Sequence, residues 1–262
     1  MSNGDDIQFL IDEPLCEDRS MTLWRYTSLA KFVNLLAESS LFCLRMDLFG
    51  DPYEGQLSKL SHERLAETYE TIAEDMGLFE SNLTLIEELR KATFLNCWRV
   101  DEYEDYGMWH AYTRPSCGLA IRTTVDSLIE SINPRDSFEG QLELKKIDYI
   151  DYEEEKQDSV GEGVFFPFRF KRVQHQNEKE VRLMVTNYPH DRMHIDESFE
   201  APHKIESIRK IEVNPSILIE EIRLHPEASN VLRQAVENLL TGISSEIGIE
   251  RIQESKLTDV GK

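Results

Sequence analysis

The stretch from Met21 to Gly55 reads in order as strand, helix, strand and polar turn, and the rest of the chain has to pack around it. Met21, Leu23 and Arg25 alternate with Thr22, Trp24 and Tyr26, the period of two that a strand requires. Thr27 or Ser28 can cap a helix in which Leu29, Phe32, Val33 and Leu36 share one stripe. Leu41 to Leu44 is a short buried strand. It delivers Arg45, Asp47, Asp51 and Glu54 into a turn broken by Gly50, Pro52 and Gly55. With Arg25, two arginines and three carboxylates gather at neighbouring strand ends, which suggests a cleft.

The chain has 262 residues, enough to bury a full core, and is expected to form one domain with an insertion. Lys and Arg total 29 against 50 Asp and Glu, a net charge of −21 that opposes broad attachment to nucleic acid or an anionic membrane. No apolar run approaches the roughly 20 residues that span a bilayer, and the N-terminus lacks the regions of a signal peptide. A cytoplasmic protein without membrane attachment is the expectation. Cys16, Cys43, Cys97 and Cys117 are scattered without a CxxC pair and read as reduced core thiols.

Residues 1–20 show no sustained period and read as an arm, leaving 21–262 as the domain. From 57 to 91 the apolar spacing turns helical, through Leu65, Tyr69, Ile72, Met76 and Phe79 and then Leu85, Ile86 and Leu89, so a helical hairpin is inserted there. Thr93–Trp98 is a strand, Tyr106–Tyr112 an aromatic helical turn, and Ser116–Arg122 a returning strand. Gln141–Tyr152 alternates, and Phe165–Arg172 mixes aromatics with Arg169, Lys171 and Arg172, the one cationic cluster of an acidic chain. In Glu178–Val185, Val181, Leu183 and Val185 share one strand face and Glu178, Glu180 and Arg182 the other. Strands are expected over 205–213 and 217–224, a helix opened by Pro226, and an edge strand over 248–252.

The Glu178-Lys179-Glu180 triplet is the sharpest chemical feature. Neighbouring carboxylates suit acid/base work or stabilisation of an oxocarbenium-like cation. The plain alternative is an exposed strand face with an Arg–Glu pair. The company of Arg25, Trp98, Trp109 and the cationic cluster weighs against it, because a planar cofactor with phosphates needs stacking surfaces, cations and a carboxylate together.

The blocks LWRYTS, LFCLRMDLFGDPYEG, NCWRVDEYEDYGMWHAYTRPSCGLAI and FKRVQHQNEKEVRL resemble the bacterial domain-of-unknown-function 2971 family from about Met21 to about Val185. More distantly, the block order is similar to ADP-ribosyltransferase-like domains. That resemblance implies an α+β fold with a mixed or antiparallel sheet split around a cleft, and NAD as cofactor with no metal. It implies catalytic roles for Glu180, which would hold the nicotinamide ribose, for Glu178 as a second acidic residue, and for Arg25 on ribose and phosphates. Tyr26, Trp98, Trp109 and Tyr112 would flank the cofactor, with Arg169, Lys171, Arg172 and Arg182 supplying counter-charge. The middle block reads Asn96-Cys97-Trp98, without the Ser-Thr-Ser run of the arginine-modifying class. An NAD-cleaving effector or ADP-ribosyltransferase in bacterial stress or anti-phage defence is the implied role, with a protein or nucleic-acid acceptor.

Two other classes stand beside this reading. One is a non-enzymatic module that senses a nucleotide or binds a protein. The other is a metal-dependent nuclease built on Asp136 with Glu143 and Lys145, in the D…ExK order. His190 and His194 have the i, i+4 spacing of a metal pair, but Pro189 and the polar loop around them argue against a helix.

Overall fold

A computed structural model describes residues 9–73, 76–133, 141–157, 167–186, 206–243 and 247–258. In chain order the first half comprises β1 (Phe9–Ile11), α1 (Glu13–Glu17), β2 (Thr22–Ser28), α2 (Leu29–Glu38), β3 (Ser40–Arg45), α3 (Lys59–Thr68), α4 (Met76–Ala92), β4 (Thr93–Val100), α5 (Tyr106–Tyr112), β5 (Gly118–Thr124) and α6 (Val125–Ser131). The second half comprises β6 (Gln141–Lys146), β7 (Asp148–Ile150), β8 (Phe170–Arg172), β9 (Glu180–Thr186), β10 (Ile208–Glu212), α7 (Pro215–Leu218), β11 (Glu221–Leu224), α8 (Asn230–Ile243) and β12 (Ile252–Gln253). The fold is mixed α+β with mostly antiparallel strand pairing. Contacts divide it into two compact units: Met1–Asp12, Cys43–Asn96 and Phe138–Arg209 form unit one, and Glu13–Phe42, Cys97–Ser137 and Lys210–Lys262 form unit two.

In unit one the strand order is β1, β6, β9 and the first half of β4. β1 runs parallel to β6, so the arm expected over residues 1–20 carries a strand and, in α1, a short helix. β6 runs antiparallel to β9 and sets Lys145 opposite Arg182 and Glu143 opposite Met184. β3 pairs with β4 through Leu44 and Leu95, and β7 and β8 form a separate parallel pair. Helices α3 and α4 occupy the segment where the hairpin was expected.

β9 departs from the alternating expectation, because all seven of its residues are buried. The apolar side is the core that the period of two predicts. The other side carries Glu180 and Arg182 inward because charged partners from the 51–55 turn and from β8 cover it. Gly55 makes that turn possible. Its φ is +71°, and an added Cβ would stand 2.5 Å from Met46 Sδ and 3.2 Å from Phe168.

In unit two the order is the second half of β4, then β2, β5, β11 and β12. β2 pairs with β5 along its whole length, from Thr22 opposite Thr124 to Ser28 opposite Gly118. Ser28 caps α2, its side chain accepting a hydrogen bond from the Lys31 amide at 3.4 Å, and Phe32, Leu35 and Leu36 form the buried stripe. Residues 215–218 are helical, and the turn takes the first two positions of the strand expected over 217–224. Asn214 caps that turn and Pro215 opens it, which outweighs the apolar run that follows. The strand then shortens to Glu221–Leu224, and the last helix begins at Asn230, after the turn holding Pro226.

Candidate functional site

The cationic cluster and the Glu178-Lys179-Glu180 triplet meet within unit one. β8 carries Lys171, a turn of 3-10 helix over Val173–Glu178 reverses the chain, and Lys179 adopts the left-handed conformation with φ 43° before β9 begins. Glu178 therefore lies on the 3-10 turn, whereas the sequence pattern sets it on the strand. The two carboxylates still converge: Lys171 Nζ donates to Glu178 Oε2 at 2.6 Å and to Glu180 Oε2 at 2.9 Å.

From this ammonium, charged contacts run in two directions. Inward, Arg182 Nε donates to Glu180 Oε1 at 2.7 Å and Nη1 donates to the Phe168 carbonyl at 3.0 Å. Glu54 Oε1 lies 2.6 Å from Arg182 Nη2, an ion pair by distance although not aligned as a hydrogen bond. Outward, His175 Nδ1 meets Glu178 Oε1 at 2.9 Å and Nε2 lies 3.4 Å from Asp51 Oδ2. Arg172 grips Asp51 with two nitrogens, Nε at 3.1 Å and Nη2 at 2.9 Å. Exposure is lowest inward, with Arg182 at 0% and the Glu180 side chain at 4%, and higher outward at Glu178 (18%), His175 (31%) and Arg172 (32%), although Asp51 between the last two is 8% exposed.

Burial pulls the Lys171 pKa down, but Glu180 and then Glu54 outweigh it, so the group is held above the usual lysine value and stays charged. Tyr149, opposite Lys171 in the β7–β8 pair, accepts a hydrogen bond from the Glu180 amide at 2.8 Å. Its burial raises the phenol pKa, so it stays neutral. Arg169, the remaining expected cation, is turned to Asp148 at 2.9 Å.

Arg25, Tyr26, Trp98, Trp109 and Tyr112 belong to unit two, so the expected site residues fall in two separate units. Arg25 Nη1 donates to the Cys97 carbonyl at 2.8 Å, and its guanidinium lies 5.8 Å from the Trp98 ring. Trp109 is fully buried, with the Tyr26 ring edge-on at 5.0 Å and its own indole N–H donated to Glu104. Tyr26 Oη accepts from the Asp105 amide at 2.6 Å. These aromatic faces are packed as core, and Tyr112 alone among them is half exposed.

Sequence reasoning missed His175, Tyr149 and the Glu104 cluster of unit two. Glu104 accepts from Trp109 Nε1 at 2.9 Å, Arg223 Nη1 at 2.7 Å, Ser255 Oγ at 2.7 Å and the Lys256 amide. Its only local signal was an acidic loop. Glu143 and Lys145, expected in the nuclease reading, pair with each other at 2.9 Å, while Asp136, His190 and His194 lie outside the described residues. Among the described residues no three metal-ligating side chains converge on one point, and no helix is long and apolar enough to cross a membrane. Cys16 is exposed, against the core thiol expected there, while Cys43 is buried.

His225 packs edge-on to Trp109 at 5.5 Å, and its Nδ1 accepts from the Glu227 amide at 3.0 Å. Burial holds its pKa below the usual 6.5, against an opposing pull from Glu227 and with a further push down from His110. The unfolded chain therefore takes up the proton first as pH falls. Stability present above pH 6.5 is lost as the pH drops from there through the folded value. Urea midpoints at pH 7.5 and 5.5 should fall less in His225→Asn, which keeps an acceptor but does not titrate. An unchanged difference would show that other groups set the acid sensitivity.

Comparison with protein-family models, curated proteins and solved structures finds no match to this chain.

Proposed function

We propose that the charged cluster of unit one cleaves the nicotinamide–ribose bond of NAD, in an ADP-ribosyltransferase-like or NAD-hydrolysing reaction. The observation that carries this reading is the convergence of Glu178 and Glu180 on the Lys171 ammonium. Both carboxylates are engaged, Glu178 by Lys171 and His175 and Glu180 by Lys171 and Arg182, and exposure separates them: the Glu178 side chain is 18% exposed and takes the role of facing the ribose, whereas Glu180, at 4%, is a positioning residue. Nicotinamide leaves with the bonding pair, the Glu178 carboxylate stabilises the positive charge left on the ribose, and water or an acceptor adds at that carbon and gives up its proton to solvent. Arg172, at the more open end of the cluster, supplies charge for the phosphates. The resemblance to the domain-of-unknown-function 2971 family and to ADP-ribosyltransferase-like domains supports a bacterial effector or defence role.

Purified protein incubated with NAD should release nicotinamide, followed by chromatography. Glu178→Gln should lower that release by roughly 10²-fold, the scale for losing one electrostatic stabiliser, without unfolding the protein. Release unchanged by this substitution would sink the assignment of Glu178. A second reading, nucleotide binding without turnover, is favoured by the saturation of Glu180. Calorimetry showing NAD binding in a protein that releases no nicotinamide would establish it over the first.

A further inference from the structure

Unit one also contains a cleft of about 320 Å3 whose lining combines apolar side chains with both signs of charge. The apolar part of the lining is Tyr53, Leu57 and Tyr152. The tyrosine rings meet edge to face at 5.5 Å and 75°, and Leu57 packs against the buried cluster of Ile150, Tyr152 and Phe170. The polar part is Lys59 and His62 from the first turn of α3, Glu63 beside them, and Glu153 from the loop after β7.

These walls discriminate among ligand chemistries. Glu63 and Glu153 oppose a phosphate, Lys59 opposes a simple organic cation, and a charged lining is a poor surround for a purely apolar molecule. A ligand with an anion and a cation close together and an apolar tail satisfies all three. The Lys59–Glu153 pair leaves room for it: Nζ and Oε2 stand 4.0 Å apart, beyond the roughly 2.8 Å of a charge-assisted hydrogen bond, and both side chains are more than half exposed.

We propose that this cleft binds a free α-amino acid with an aromatic or large aliphatic side chain. The α-carboxylate meets Lys59, the α-ammonium meets Glu153, and the side chain lies on Tyr53, Leu57 and Tyr152. The site is separate from the carboxylates assigned to NAD cleavage and does not depend on that assignment. One ring joins the two: Tyr53 carries the Arg172 guanidinium 4.7 Å from its centroid, and Arg172 is the residue that grips Asp51.

Calorimetry on the full chain tests this with L-phenylalanine and L-leucine, with 3-phenylpropanoate and 2-phenylethylamine, which lack the ammonium and the carboxylate respectively, and with AMP. The amino acids should bind at least tenfold more tightly than either truncated analogue, and AMP should not compete with them. Lys59→Met should erase the preference over 2-phenylethylamine, and Glu153→Gln the preference over 3-phenylpropanoate. Both side chains are exposed, so both variants should fold. Absence of amino-acid binding, equal binding of the analogues, competition by AMP, or binding indifferent to both substitutions would each overturn the proposal. Nicotinamide release is measured separately, so failure here leaves the reading of Glu178 untouched.

Discussion

Arg182→Met should destabilise the protein by about 3–5 kcal/mol, measured by urea unfolding, because it removes one partner of a buried ionic cluster and leaves the others in place. Arg182 is fully buried and contacts Glu180, Glu54 and the Phe168 carbonyl. Methionine fills much of the same volume, so a cavity contributes little. The cost comes from Glu54, itself 2% exposed, which loses the guanidinium 2.6 Å away. Glu180 retains Lys171, which limits the damage on that side. Adding Glu54→Leu should recover part of the loss, since the double variant replaces a broken pair by apolar contact. A cost for Arg182→Met below about 1 kcal/mol would mean that the pairs behave as solvated surface pairs. The same result would remove the rigid backing that the proposed role of Glu178 requires.

Glu104→Gln should cost about 3 kcal/mol or more, although it is nearly isosteric. Each Glu104 oxygen accepts from two donors: Oε1 from Arg223 and the Lys256 amide, Oε2 from Trp109 and Ser255. A glutamine in either orientation points an NH2 group at two donors, and the charge that balanced Arg223 is gone. Arg223 keeps Glu221, so the heavier loss falls on the Lys256 amide in one orientation and on the Trp109 indole and Ser255 in the other. Trypsin cleavage after Lys256 should therefore quicken along with the fall in unfolding free energy. Equal stability and an unchanged cleavage rate would show that the four donors are satisfied without the carboxylate.

Much of the fold is legible from local pattern. The β2–α2–β3 unit follows from alternation, one cap and one apolar stripe, each contained within a few residues, and the structure places all three elements where the pattern does. The errors are also local contests. Asn214 and Pro215 make a helical turn of an apolar run that otherwise reads as strand, and Lys179 at positive φ interrupts the strand pattern one residue after Glu178. In β9 alternation assigns Glu180 and Arg182 to a polar face, and only their partners make that face an interior.

The candidate site divides the same way. Glu178, Glu180 and Lys171 were visible as a carboxylate pair near a cationic cluster, whereas His175 stands in a polar run without periodicity or motif. Trp98 and Trp109 illustrate the reverse error: an aromatic near a strand end reads equally well as a stacking platform or as core, and both are buried.

By itself the sequence determined the elements and which side chains share a face, because backbone sterics and the periods of helix and strand act over a few residues. It also determined that acidic groups greatly outnumber basic ones, so that each buried cation has a choice of partners. Only the tertiary structure decided those choices. Arg223 takes Glu104 from 119 residues away, and Arg182 takes Glu54 across the whole insertion. Ion pairing of this kind is selected by burial and strand register, which join distant segments and leave no trace in a local window.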